Sequence, residues 1–332
     1  MRGSLPAPTC PRKLRHVSLD FAAIRAAHER IRPHIHRTPV LTSARFDAAC
    51  GGRLFFKCEN FQKAGAFKAR GATNAVFALD DATAARGVAT HSSGNHGAAL
   101  ARAARLRGIA AHIVMPSNSA RVKVRAVEGY GGRIVFCEPT PAAREAACAR
   151  VIAETGATLI HPFENEHVMA GQGTAAVELL EDVPDLDLVL CPVGGGGLLA
   201  GTAVAAKSLR PAIRVIAVEP ANAADVAESF RAGRLLPPAK VDTIADGLRT
   251  PIGAPNFAIA QRHADDVVTV SEAAIIAAMR ALWETLKIVV EPSAAVPYAP
   301  ILERALEVSG RRVGIILSGG NVDLDALPWV EK

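Results

Sequence analysis

Aromatic side chains make up only 5% of this 332-residue chain, with two tryptophans and two tyrosines, so the sequence offers no stacking platform for nucleic-acid bases. Long apolar runs are missing as well. None reaches the ~18 residues that a membrane span requires. The opening MRGSLPAPTCPRKLRHVS combines basic residues with prolines and has no apolar stretch of the secretory kind. A cytoplasmic protein with a disordered tail over residues 1–18 is expected. Cysteine motifs are absent: Cys10, Cys50, Cys58, Cys137, Cys148 and Cys191 are scattered, with no CxxC pair and no zinc-like cluster with histidine. They read as small apolar residues in a reducing compartment. The formal net charge of +6 is dispersed along the chain. An anionic small molecule explains it as well as a polymer would, and neither nucleic acid nor membrane is expected as a partner.

What is present is length, apolar content and rhythm. At 332 residues and 50% hydrophobic content, two core-bearing units are expected. Apolar residues Phe21, Ile24, Ala27 and Ile31 recur at helical spacing before Pro33, predicting a helix over 19–32. Short strand signals at 53–57, 88–90, 111–115, 133–137 and 158–160 alternate with helices over 69–79, 98–106, 120–128 and 142–154. The beat resumes with strands at 188–193, 214–218, 266–270 and 312–317, separated by helices such as 198–209 and 272–286. This spacing predicts an α/β chain with parallel sheets flanked by helices. Residues 237–255, rich in Pro and Gly, form the clearest long loop.

Chemistry concentrates in five stretches. In FQKAGAFKARG (61–71), Lys68 sits among Ala66, Phe67 and Ala69 between two glycines, where apolar surroundings would lower its pKa and free a neutral amine. Solvation at a helix end is the plainer alternative for a lone lysine. HSSGNHG (91–97) follows a strand and opens a helix, a place suited either to an anion or to ordinary capping by Ser and Asn. Gly194, Gly195, Gly196 and Gly197 between strand and helix let backbone N–H groups converge on a phosphate. The same run satisfies GxGxxA at Gly195, Gly197 and Ala200, with Glu219 ending the next strand, so a dinucleotide-dependent oxidoreductase is a rival. EPANAAD (219–225) offers Glu219 and Asp225 as hard oxygen donors for Mg2+ or Ca2+, with a solvated loop as the alternative. SGGNVDL (318–324) places Ser318 at a strand end beside two glycines.

Taken in order, these five stretches resemble the fold-type II pyridoxal phosphate enzymes of the serine/threonine dehydratase and serine racemase group, over about residues 19–324. The resemblance implies the tryptophan synthase β-like fold: two open parallel-type sheets flanked by helices. Residues 19–86 and 165–332 would form a large cofactor-binding domain and 87–164 a small mobile one. It implies that Lys68 forms the Schiff base with pyridoxal 5'-phosphate, Phe67 lies against its ring, Asn95 bonds the ring hydroxyl, Gly194–Gly197 cradle the phosphate and Ser318 meets the pyridine nitrogen. Ser92, Ser93, Gly94, Asn95, His96 and Arg144 would bind an amino acid substrate, with Ser93 as the second acid needed for racemisation. Glu219, the carbonyl of Ala223, and Asp225 would hold Mg2+, Ca2+ or Mn2+, and the protein would be a homodimer or homotetramer.

The activity so implied is loss of water and ammonia from a β-hydroxy amino acid, with L-threonine and L-serine as default substrates. Serine racemisation, or dehydration of 3-hydroxyaspartate or 3-phenylserine, is the alternative, and a non-catalytic amino acid sensor retains the fold without the chemistry. Phe163 in HPFEN is expected near the substrate side chain, as in threonine dehydratases. Nine residues follow SGGNVD, so an isoleucine-sensing regulatory domain is not expected. His34, His36, His161 and His263 read as capping or surface residues.

Overall fold

Runs of Val, Ile, Leu and Phe long enough for one strand alternate with alanine-rich helices, and the computed structural model sorts them into two sheets. It describes residues 19–330 apart from Ser93, Ala120 and residues 238–240; the tail expected over 1–18 lies outside the described residues. The first half comprises α1 (Phe21–Ile31), β1 (Val40–Leu41), α2 (Ala44–Cys50), β2 (Arg53–Cys58), α3 (Lys68–Phe77), α4 (Asp81–Ala85) and β3 (Val88–His91). It continues with α5 (Asn95–Arg107), β4 (Ala111–Pro116), α6 (Arg121–Gly129), β5 (Arg133–Cys137), α7 (Pro141–Thr155) and β6 (Thr158–Leu159). The second half comprises α8 (Glu166–Asp182), β7 (Leu188–Pro192), α9 (Gly197–Leu209), β8 (Arg214–Pro220), α10 (Asp225–Ala232) and α11 (Ala254–His263). It ends with β9 (Asp266–Val270), α12 (Glu272–Leu286), α13 (Pro292–Ala295), α14 (Ala299–Leu302) and β10 (Arg312–Leu317).

Six strands form one sheet in the order β1-β2-β10-β7-β8-β9, parallel except for the short β1, and four form a second parallel sheet, β5-β4-β3-β6. β10 lies between β2 and β7, with Leu317 opposite Cys58 and Val313 opposite Leu188. Helices cover both faces, so β7 is buried along its length and reads as a continuous apolar run rather than an alternating one. The carboxyl ends of β2 and β10 deliver the Lys68 and Ser318 segments side by side, at the sheet edge where ligands of open α/β folds collect.

One helix binds these pieces together. In α8 every residue from Val168 to Leu180 is buried. Two glycines on it permit contact at backbone distance. A Cβ on Gly171 would stand 2.6 Å from Gly71 Cα and 2.7 Å from the Arg70 carbonyl oxygen, in α3; one on Gly173 would stand 2.8 Å from the Gly201 carbonyl oxygen, in α9. Because α3 begins with Lys68 and α9 begins at the glycine turn, α8 sets the distance between them.

Candidate active site

After β2 the chain turns through Lys63–Gly65 and is then tied to the chain leaving β10. Phe67 N–H donates to the Ser318 carbonyl at 3.0 Å, Gly320 N–H donates to Gly65 at 2.9 Å, and Ala66 pairs with Gly319. Lys68 therefore starts α3 from a fixed point. Its Nζ donates to the Pro162 carbonyl at 2.8 Å and lies 5.1 Å from the centroid of the Phe67 ring. Burial pushes its pKa down to about 8. An amine so placed exchanges its proton near neutrality, as a nucleophile or base requires.

The glycine turn is crowded on its Cβ side and open on its N–H side. A Cβ on Gly194 would meet Leu248 Cα at 2.9 Å, one on Gly195 would meet the Phe163 ring at 2.5 Å, and Gly196 has φ +85° with Ile252 and Asn256 within 2.8 Å. The start of α9 has no side-chain cap, which leaves its first N–H groups for an anion. Asn256, which motif reading missed, fixes the turn by donating to the carbonyls of Gly195 and Phe163. Phe163 packs on Gly195 and Gly197 and meets the His161 ring edge to face at 4.6 Å, so its bulk is matched by glycine. The sequence expectation placed it near the substrate side chain; it stands on the glycine turn, next in the chain to the Pro162 carbonyl that holds Lys68.

α5 starts at Asn95, three residues before the helix expected over 98–106, and no side-chain cap is formed among the described residues. The capping alternative for this turn therefore fails among the described residues. Ser92 Oγ accepts from Gly94 N–H at 3.3 Å; Ser93 lies outside the described residues. Asn95 is held from two sides: its Nδ2 donates to Glu291 Oε1 at 2.8 Å, and its Oδ1 accepts from Asn321 Nδ2 at 3.0 Å. Neither partner was foreseen. Glu291 is pushed up to about 8, chiefly by burial and then by Asp246, with Lys123 and Asn95 opposing. His96 is buried, and its pKa falls well below the ordinary value because of that burial and the nearby Lys68. Since Nε2 faces the Ile160 carbonyl at 3.1 Å, it carries the proton, and Nδ1 is a buried acceptor without a partner among the described residues.

Other predicted residues fall around this centre. Ser318 is buried just beyond β10. Arg144, on α7, lies close enough to His91 to lower its pKa, second to burial, and the His91 ring meets the His161 ring at 5.3 Å. Glu145 opposes that shift, and Glu164 stands 3.9 Å from His161 Nε2. Glu219 is not the solvated acid of the plainer alternative. It is buried, pushed up to about 8 by desolvation, and accepts from Ala227 N–H at 2.5 Å and Val226 N–H at 3.3 Å. Those bonds engage both of its carboxylate oxygens with the first turn of α10. Asp225, also raised by burial, accepts from Ile252 N–H at 3.1 Å.

A lysine with a lowered pKa, a glycine turn in which a Cβ on Gly194, Gly195 or Gly196 would clash, and a buried serine on the adjoining strand end suit pyridoxal phosphate. Over residues 31–319 the chain matches the family model described as pyridoxal-phosphate dependent enzyme, and it belongs to that family, in its fold-type II branch. It is 52% identical over 304 residues to a β-hydroxyaspartate dehydratase of Paracoccus denitrificans, covering 92% of this chain and 96% of that one. Among solved structures it matches maize serine racemase with a TM-score of 0.91 at 49% identity, over 92% of this chain and 95% of that one. A pyridoxal 5'-phosphate-dependent aspartate racemase matches with a TM-score of 0.89 at 38% identity, over 94% and 98%. Among the described residues no helix is long and apolar enough to cross a membrane.

Proposed function

We propose that this chain is a pyridoxal phosphate-dependent dehydratase that converts 3-hydroxyaspartate to a 2-oxo acid and ammonia. The supporting observation is the Arg144 guanidinium close to His91, whose ring meets that of His161, together with the 52% identity to a β-hydroxyaspartate dehydratase. A substrate with two carboxylates needs two anion holders. The uncapped start of α5 at Asn95, with Ser92, Ser93, Gly94 and His96 around it, receives one carboxylate, and Arg144 beside the two histidines receives the other. This reading supports 3-hydroxyaspartate over threonine or serine.

Bound pyridoxal phosphate supplies an electron sink that makes the substrate's Cα–H bond acidic. Gly194–Gly197 would hold its phosphate, Asn95 its ring hydroxyl, Ser318 its pyridine nitrogen and Phe67 one ring face. Lys68 would be the lysine that holds the cofactor and, as a free amine, the base that takes the substrate's Cα proton at Nζ. The Glu291 and Asn321 bonds keep Asn95 from rotating. Residues 87–164 close over the substrate, with 19–86 and 165–332 as the larger part, and the Lys123–Asp246 ion pair joins the two.

The test is ammonia and oxo acid release by the cofactor-loaded protein from L-threonine, L- and D-serine, 3-hydroxyaspartate and 3-phenylserine, before and after Arg144→Leu. We expect the highest kcat/KM with 3-hydroxyaspartate, falling about 100-fold in the variant while serine changes less than about tenfold. Preference for threonine, or an equal loss on all substrates, refutes the assignment. Serine racemisation is the second reading, supported by the likeness to maize serine racemase and the Ser92–Ser93 pair; inversion outpacing ammonia release in the same assay decides for it.

Glu219, Asp225 and the Ala223 carbonyl are proposed to hold a divalent cation. Two buried carboxylates with raised pKa, Glu219 further raised by Asp225, fit a hard cation that offsets their charge. The folded Glu219 pKa lies above its unfolded one, so ionising it costs stability that is lost as pH rises from about 4.5 through about 8. Saturating Mg2+ should raise the melting temperature by about 3 °C at pH 8 and less at pH 6. Glu219→Gln should remove the increment, and an increment that persists in that variant overturns the site.

A further inference from the structure

Behind Lys68, on the far side of α3, is a buried ionic cluster that the chemistry so far does not use. All five N–H donors of Arg70 are engaged. Nε and Nη2 donate to Glu59 Oε2 and Oε1, and Nη1 and Nη2 to Glu178 Oε1 and Oε2, each at 2.7 Å; Nη1 also donates to Thr174 Oγ1 at 3.0 Å. Lys57 Nζ donates to Glu178 Oε2 and to the Thr38 carbonyl at 2.7 Å, and Thr38 Oγ1 donates to Glu59 Oε1 at 2.5 Å. Arg70, Lys57 and Glu59 are 0% exposed and Glu178 2%. Two cations and two anions make the cluster neutral, and Glu178 is held down to about 2 by Arg70 and Lys57 against the opposing effect of burial.

Such a cluster is a poor way to gain stability, since apolar side chains of the same volume avoid the desolvation cost. What a doubly bidentate guanidinium does fix is orientation. Arg70 follows Lys68 by two positions in the first turn of α3, which at 3.6 residues per turn puts the two side chains on nearly opposite faces of the helix. Its anchors lie on the turn after β2 (Glu59) and on α8 (Thr174 and Glu178). Gly71 N–H adds a bond to Gln172 Oε1 at 3.0 Å. Together they prevent α3 from rolling or sliding.

We infer that Arg70 is a positioning residue for Lys68, its clamp on Glu59, Thr174 and Glu178 setting where Nζ stands relative to the glycine turn. The inference rests on Lys68 as the lysine that bonds the cofactor.

Arg70→Lys keeps the charge but loses the fork. In the full-length protein three quantities are measured: the melting temperature without cofactor, the rate at which added pyridoxal phosphate gives the visible lysine-linked band, and kcat per loaded site with KM. The expected result is a band forming about tenfold more slowly and kcat per loaded site about 100-fold lower, with KM within about threefold. A lower melting temperature with band formation and kcat per loaded site unchanged shows an ordinary structural role and overturns the inference. Should Arg70→Lys not fold, Thr174→Val removes one of the five bonds. A loss of about threefold in band formation then supports the clamp, and no change refutes it. Band formation requires no substrate, so a wrong substrate assignment leaves this test intact. A covalent band surviving Lys68→Ala would instead refute the reading on which the clamp depends.

Discussion

Lys68→Ala should produce a protein that folds and binds pyridoxal phosphate weakly, with no visible band reducible by borohydride and with ammonia release lower by about 10⁴-fold or more. The side chain sits where no other amine can substitute. Its Nζ is fixed by the Pro162 carbonyl at 2.8 Å, and Lys57 is spent on Glu178 and Thr38. The wild-type protein carries a companion signature in pH. Because burial lowers the Lys68 pKa to about 8, the neutral amine is a minority at pH 7 and the majority at pH 9, so band formation by cofactor-free protein should speed up roughly tenfold between them. The folded chain binds fewer protons at this lysine than the unfolded chain between pH 8 and 10.5, so its contribution to stability rises with pH across that window. Retained turnover in Lys68→Ala, or a band that forms equally fast at both pH values, contradicts the assignment.

Gly171→Ala should be among the most disruptive single-methyl changes in the structure's centre. The added carbon would stand 2.6 Å from Gly71 Cα and 2.7 Å from the Arg70 carbonyl oxygen, and backbone cannot rotate away as a side chain does. α3 and α8 must separate, at a cost of about 3 kcal/mol and about 6 °C in melting temperature. The separation also shifts Lys68 against α9, so cofactor affinity should weaken about tenfold. Gly129→Ala is the control: it lies at the end of α6, a Cβ there meets nothing within 4 Å, and the change should stay within about 0.5 kcal/mol. Equal melting temperatures for the two variants would show that the glycine crossing bears no strain.

The local parts of this site were legible in the sequence because they are contiguous and compositionally odd. Four glycines between strand and helix, a lysine among alanines and phenylalanine, and an acid closing a strand all announce themselves. Partners contributed from afar were not. Glu291 reaches Asn95 across 196 positions, Asn321 across 226, and Arg70 reaches Glu178 across 108. Nothing in KIVVEPS or GGNVD marks such a role in advance. α8 escaped notice for a different reason. A helix buried all round has no polar face, so EHVMAGQGTAAVELLED shows no 3.6-residue stripe, although it joins both halves of the cofactor cradle. The packing of Phe163 was not legible, because a single sequence shows that a ring is present but not that Gly195 and Gly197 lie beneath it.

The strand order dictates a timetable for synthesis. β3 to β6 are consecutive in the chain and pair only with one another, so the four-stranded sheet can form before the last strands of the larger one are made. The larger sheet cannot close in this way, because its second and fourth positions are filled early while β10, the strand between them, emerges last. Until Arg312–Leu317 emerges, β2 and β7 have no shared neighbour, and Phe67 has no Ser318 carbonyl to hold the lysine in place. The cofactor cradle is therefore complete only once β10 has taken its place between β2 and β7.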